Sequence, residues 1–358
     1  KSKGNLIRAP GVCPGAPFLK GEGLKMVRYI IKRILWLIPI MLGVLVIVFA
    51  LRAITPGSPV DQLLGDTATA EQRMALEEEL GLNKSLPEQF VIYVQGVLHG
   101  DLGTSYMSKA PVLEEILNRV PTTVIICFGS VFIGLILGVP LGVLSAQKQY
   151  TWTDSVILVM SMVLRSIPGF CLGLCMIWIF AVNLHWLPAV GISDPRGYIM
   201  PMVAIGLGSM ANYTRITRTS MLEVIRQDYV RTARAKGQTE GKIIWSHELR
   251  NAAIPIAASV GTQLGWQLGG ALIIESVFGV PGIGKYIGDA VSARNFPAIQ
   301  GGVIFLAFVF CIVNLLVDLS FTFINPRLKT TIINTKAGKI ELFIRGLFAR
   351  KKEEKVNG

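Results

Sequence analysis

Two runs of this chain, Ile34–Leu51 and Thr122–Ala146, contain no charged residue at all. An α-helix rises about 1.5 Å per residue, so runs of this length reach across the ~30 Å hydrocarbon layer of a bilayer. A soluble domain would have to surround both with other apolar surface, because neither has a polar face to turn to water. Tyr198–Ile216, Ala252–Ile274 and Gly301–Val317 are further apolar segments, and Ser155–Val182 is another, interrupted by Arg165 and Pro168. With 51% hydrophobic and only 16% charged residues, the chain reads as an all-α polytopic membrane protein with six transmembrane helices.

The basic residues set the orientation. They crowd before Ile34, between Met221 and Pro255, and after Phe323, whereas the loop Arg52–Pro121 holds five basic and ten acidic residues. Positive charge stays on the cytoplasmic side, so that loop lies outside and both termini lie inside. The net charge of +12 is therefore a sign of topology and not of nucleic-acid binding. Cys127, Cys171, Cys175 and Cys311 fall within the apolar segments, away from any histidine framework, and read as small apolar side chains with no metal site. Residues 1–25 show no hydrophobic periodicity and are expected to be a disordered arm or an upstream extension preceding Met26. Ile340–Phe348 followed by Arg350-Lys-Lys suggests an amphipathic helix on the membrane surface within a basic tail, 329–358.

The basic stretch between the apolar segments has its own pattern. Leu222, Ile225, Tyr229, Val230 and Ala233 recur at helical spacing, while Arg226, Arg231 and Arg234 fall largely elsewhere. Gly237 stops that helix as a residue of positive φ, and Thr239 is placed to cap a second one carrying Ile243, Ile244 and His247. Residues 221–250 thus form a helix–glycine–helix hairpin on the inner face. An ordinary loop whose cations only orient the chain would carry the same charge.

Arg231-Thr-Ala-Arg-Ala-Lys-Gly237 followed by Leu249 resembles the EAA loop of ABC-transporter permeases, Glu-Ala-Ala-x3-Gly-x9-Ile-x-Leu-Pro. Arg231, Thr232, His247 and Arg250 depart from that pattern, but the string from Asp228 to Gly237, DYVRTARAKG, is similar to the version in the dipeptide/oligopeptide/nickel branch. In the outer loop, Gly81-Leu-Asn-Lys-Ser-Leu-Pro and Gly100-Asp-Leu-Gly-Thr-Ser105 resemble that branch's GLxxPLxxQ and GDLGxS, with Ser85 where proline is usual. Ser166-Ile-Pro-Gly-Phe170, Leu187-Pro-Ala-Val-Gly191, Arg294-Asn-Phe-Pro297 and Asn325-Pro-Arg-Leu extend the likeness over about Met26 to Lys329. Gly279-x4-Gly284-Lys285 imitates a phosphate-binding loop, but Tyr286 stands where a magnesium-binding hydroxyl is needed and no strand precedes it. It is similar instead to the family's FxxPGxG element.

The resemblance implies a type I importer permease: a first helix within 26–54, an extracytoplasmic segment 55–121 and a five-helix core 122–328. It further implies a bacterial or archaeal cytoplasmic membrane and a non-catalytic role, without nucleic acid. Its partners would be a second permease, two ATPase subunits that use MgATP, a solute-binding protein and membrane lipid. On the matching positions, Arg231, Thr232, Ala233, Arg234, Gly237, Thr239, Glu240 and Leu249 would form the ATPase-coupling site, with Arg231 and Arg234 facing carboxylates on that partner. A charge at a helix centre costs roughly 2.5–3.5 kcal/mol on insertion scales, so Arg165 and Glu275 should face a wet pathway or each other, or Arg165 should meet Asp318. Arg165, Ser166, Pro168, Asn212, Gln263 and Glu275 are accordingly the expected pathway residues. Peptide is the expected cargo, with nickel or another small solute as the alternative. A self-contained channel or secondary transporter would use paired intramembrane charges too, but no internal repeat accompanies them here.

Overall fold

A computed structural model describes residues 20–54, 60, 64, 69–79 and 81–324. Of the expected arm 1–25, residues 1–19 lie outside what is described, while 20–25 already belong to a helix; the tail 329–358 and the proposed role of the Asp318 side chain lie outside it as well. Two units are distinguishable: residues 41–326, and residues 1–40 with 327–358. In the second unit the described part is the beginning of helix α1, Lys20–Ile54.

The described residues form helices and no strand, only one isolated bridge between Thr104 and Pro111. Outside the apolar core lie α2 (Ala70–Glu79), α3 (Leu86–Leu98) and α4 (Val112–Leu117). Ser85 stands at the N-cap of α3 and its N–H donates to the Glu88 carboxylate at 3.1 Å. A serine in place of proline therefore suits a helix start. The long elements follow: α5 (Val120–Gln147), α6 (Trp152–Ser166), α7 (Gly169–Met176), α8 (Ile199–Ile225), α9 (Asp228–Ala235), α10 (Leu249–Val277), α11 (Ile283–Ser292) and α12 (Phe296–Ile324).

Among the described residues, 33–54, 112–147 and 296–317 are helical and apolar enough to cross a membrane alone. The expected third span is not one straight helix. It breaks at Ile167–Pro168, and the two halves, 152–166 and 169–183, meet at 93°. Proline removes a backbone donor and pushes its predecessor out of the helical region, and Ile167 is extended at ψ 123°. Irregular backbone at this depth must be enclosed by protein or face water. Helices α8 and α10, of 27 and 29 residues, are long enough but carry more polar side chains.

Helix α5 packs along α8 through glycines. A Cβ at Gly138 would lie 2.7 Å from the Met210 carbonyl oxygen, and one at Gly142 would lie 2.6 Å from that of Thr214. Only hydrogen fits, so the glycine ladder sets the backbone separation.

On the outer side, Leu102, Val112, Ile116, Ile283, Tyr286, Ile287, Ala290 and Ala298 close a core between the outer segment and α11–α12. Two motifs far apart in sequence meet there. Asn295 Nδ2 donates to Ser105 Oγ at 2.8 Å, and Tyr106 N–H donates to Asn295 Oδ1 at 3.1 Å.

Candidate functional site

The inner-face hairpin forms as two short arms. Helix α8 ends at Ile225, and α9 begins afresh at Asp228, so Met221 to Ala235 is not one continuous helix. The end of α9 is a Schellman turn: Gly237 N–H donates to Arg234 C=O at 2.9 Å and Gln238 N–H to Ala233 C=O at 3.3 Å. Gly237 adopts φ +75°, the left-handed region for which glycine is suited. The returning arm runs from Glu240 to Lys242 and continues as a π-helical turn, Ile243–Glu248. Thr239 occupies the N-cap position as expected, but its hydroxyl makes no capping bond.

Val230 and Ala233 from the first arm meet Ile243 from the second, with Val230 and Ile243 fully buried. Burying a valine or isoleucine contributes about 1.5–3 kcal/mol, so this apolar contact is the main force closing the hairpin. Polar straps then fix its register. His247 Nε2 lies 2.8 Å from Gln238 Oε1, and Arg234 donates to both oxygens of Glu240 at 2.8 and 3.2 Å.

That ion pair corrects one expectation. Arg234, still partly exposed, bonds Glu240 and the buried Glu248 within the hairpin, so it already has carboxylate partners in its own chain. Arg234 holds the Glu240 carboxyl below its usual range, while burial pushes that of Glu248 up against the opposing pull of Gln147 and Arg234. Arg231 remains outward: its side chain is 74% exposed, with Asp228 3.9 Å away. Thr232 is exposed, and its hydroxyl caps back onto the Asp228 carbonyl. Leu249 packs beside Val143, Ala146, Met221 and Ala252 at the base of the hairpin.

The expected pathway residues divide. Arg165, near the end of α6, donates to Asn212 Oδ1 at 3.3 Å, and Asn212 Nδ2 donates to Ser259 Oγ at 3.1 Å. One turn along, Gln263 Nε2 reaches Ser209 Oγ at 3.4 Å, Gln267 donates to the same oxygen at 2.8 Å, and Ser130 donates to Gln267 at 2.9 Å. A polar strip thus crosses α5, α6, α8 and α10. Ser166 bonds its own helix at Met162, and Pro168 begins α7 at the break.

Glu275 is not part of this strip and does not pair with Arg165. It is fully buried, 12 residues beyond Gln263, where Thr123 Oγ1 donates to Oε1 at 2.7 Å and Lys285 N–H to Oε2 at 3.0 Å. The same Thr123 oxygen accepts Ile283 N–H at 2.9 Å. The Pro281-Gly-Ile-Gly284 loop, which imitates a phosphate-binding loop, is wrapped around this carboxylate. A Cβ at Gly282 would lie 2.2 Å from Glu275 Cδ. Sequence reasoning missed Ser130, Ser209, Ser259 and Gln267; the i, i+4, i+8 spacing of Ser259, Gln263 and Gln267 was the available signal.

Residues 138–330, more than half of the 358-residue chain, match the family described as the binding-protein-dependent transport system inner membrane component. The chain belongs to that family. Residues 26–127 match the N-terminal model of the same membrane components, so both halves of the permease agree. It is 38% identical over 332 residues to the dipeptide transport system permease protein DppB of Alkalihalophilus pseudofirmus, covering 85% of this chain and all of that one. It is 40% identical over 304 residues to the glutathione transport system permease protein GsiC of Pectobacterium atrosepticum, covering 85% of this chain and 99% of the relative.

Among solved structures, an inward-facing conformation of the MetNI methionine ABC transporter superposes with a TM-score of 0.52 at 19% identity, covering 59% of this chain and 96% of that one. That likeness concerns the fold alone. The permease is a multi-pass inner-membrane component of an ABC importer, and a subunit of this kind works beside separate ATPase and binding-protein components.

Proposed function

We propose that this permease forms half of the translocation pathway for di- or oligopeptides, paired with a second permease subunit of the same kind. Two ATPase subunits hydrolyse MgATP and push on the 228–248 hairpin, while an extracytoplasmic solute-binding protein delivers the cargo. On this reading both termini are cytoplasmic and there are six spans: the three strongly apolar helices, the bent pair 152–183 counted as one, and the more polar α8 and α10. The peptide reading rests on the relatives named for dipeptide and glutathione transport. Coupling through the hairpin rests on one observation: a closed, apolar-centred turn presents Arg231 outward while its own acids absorb Arg234.

The polar strip from Arg165 to Gln263 supplies the aqueous side of the pathway, because side chains of this cost are placed where water or a partner meets them. The test is uptake of a labelled dipeptide into proteoliposomes holding the complete set of subunits. Uptake requiring both the binding protein and MgATP supports the reading. Uptake of nickel but no peptide under the same conditions overturns the cargo, and uptake by this chain alone down an ion gradient overturns the class.

A further inference from the structure

The hairpin's polar network continues beyond its two arms. Glu248 is fully buried and its two oxygens are filled from opposite sides. Oε1 accepts Arg234 Nη2 at 3.3 Å from within the hairpin, and Oε2 accepts Gln147 Nε2 at 2.7 Å from the last residue of α5. A buried carboxylate is held firmly only when its acceptors are occupied, so this bond fixes the hairpin to a helix to which its own arms do not connect directly. Along the chain, the hairpin leads only into α8 and α10.

The inner end of α5 is itself a rigid point. Ser145 donates to Asp154 at the start of α6, and Arg218 of α8 grips the same carboxylate with two bonds of 2.8 Å. From there α5 runs against α8 through Gly142, Gly138 and Gly134 and reaches Thr123, which holds the Glu275 loop on the outer side. A push received by the hairpin therefore meets, at Glu248, a helix that leads to the opposite face.

We infer that the Gln147–Glu248 hydrogen bond is the polar contact through which the hairpin moves α5, beside the apolar cluster that Ile244 and Leu249 form with Val143 and Ala146, with both residues acting as positioning residues for the coupled transport step. The inference rests on the hairpin receiving the ATPase push.

The test compares uptake per ATP hydrolysed in complete transporters matched for subunit content. Gln147→Ala removes the donor at an exposed helix end without touching the core. It and Glu248→Ala should each lower the ratio about tenfold, the scale of one hydrogen bond to a charged group. Glu248→Gln should restore most of it, since its amide oxygen can still accept from Arg234 while its amide NH2 donates to the Gln147 side-chain oxygen, and the double alanine variant should be no worse than Glu248→Ala alone.

If Glu248→Ala fails to assemble, Gln147→Ala carries the comparison alone. Unchanged ratios beside a coupled wild type, or losses that multiply in the double variant, overturn the inference while leaving the functional reading intact. A complete wild-type transporter with no ATP-coupled uptake overturns that reading and the inference with it.

Discussion

Gly237 is the position where the hairpin is most sensitive to one atom. Its φ is +75° and a Cβ added there meets nothing within 4 Å, so a substitution is penalised by backbone conformation and not by crowding. An ordinary L residue in the left-handed region costs roughly 1–2 kcal/mol, a β-branched one more, and asparagine least. Each of Val230 and Ile243 contributes about 1.5–3 kcal/mol of burial, so strain of about 2 kcal/mol offsets one of the two contacts that close the turn. That is more than a tenfold shift toward an open hairpin.

The series Gly237→Asn, Gly237→Ala, Gly237→Val should therefore lose ATPase co-purification and ATP-coupled uptake in that order, while insertion into the membrane stays normal in all three. Both quantities are measured in the same membranes. Asparagine as damaging as valine, or valine indistinguishable from wild type, refutes the conformational reasoning.

Three other positions give distinct outcomes. Gly282→Ala drives a methyl into the Glu275 carboxylate, 2.2 Å from Cδ, and should destabilise the outer loop by about 1–3 kcal/mol in a denaturant titration of the purified permease. Asn295→Ala leaves the buried Ser105 and the part-buried Tyr106 N–H without their partner, and should cost about 1–3 kcal/mol in the same titration, with Ser105→Ala adding less than its single effect. Arg165→Ala should change peptide uptake while the complex still co-purifies; normal uptake would remove Arg165 from the pathway.

What the sequence made legible was whatever one stretch of chain contains by itself. The charge-free runs at 34–51 and 122–146 are helices, and Gly237 ends its helix with the left-handed turn expected of it. Gly134, Gly138 and Gly142 in α5 stand at a spacing that permits close helix contact, but the spacing does not say that α8 is the partner. The failures all involve groups brought together by the fold. Glu275 looked like a pathway acid because Thr123 lies 152 residues earlier. Arg234 was assigned to carboxylates on a partner because Glu240 and Glu248 lie on the returning arm, 6 and 14 residues on. Pro168 was visible, but a 93° break at membrane depth depends on how the two halves pack.

On the proposed reading the hairpin, and not another surface of this chain, receives the ATPase. Arg231 is an outward basic residue of the hairpin, its side chain 74% exposed, whereas Lys109 lies on the acidic outer loop. In the complete transporter, a short photoactivatable cross-linker placed at Arg231 should join this permease to an ATPase subunit, and the same group at Lys109 should not. Cross-linking from Lys109 alone, or from neither position in a transporter that still couples uptake to ATP, would contradict the account.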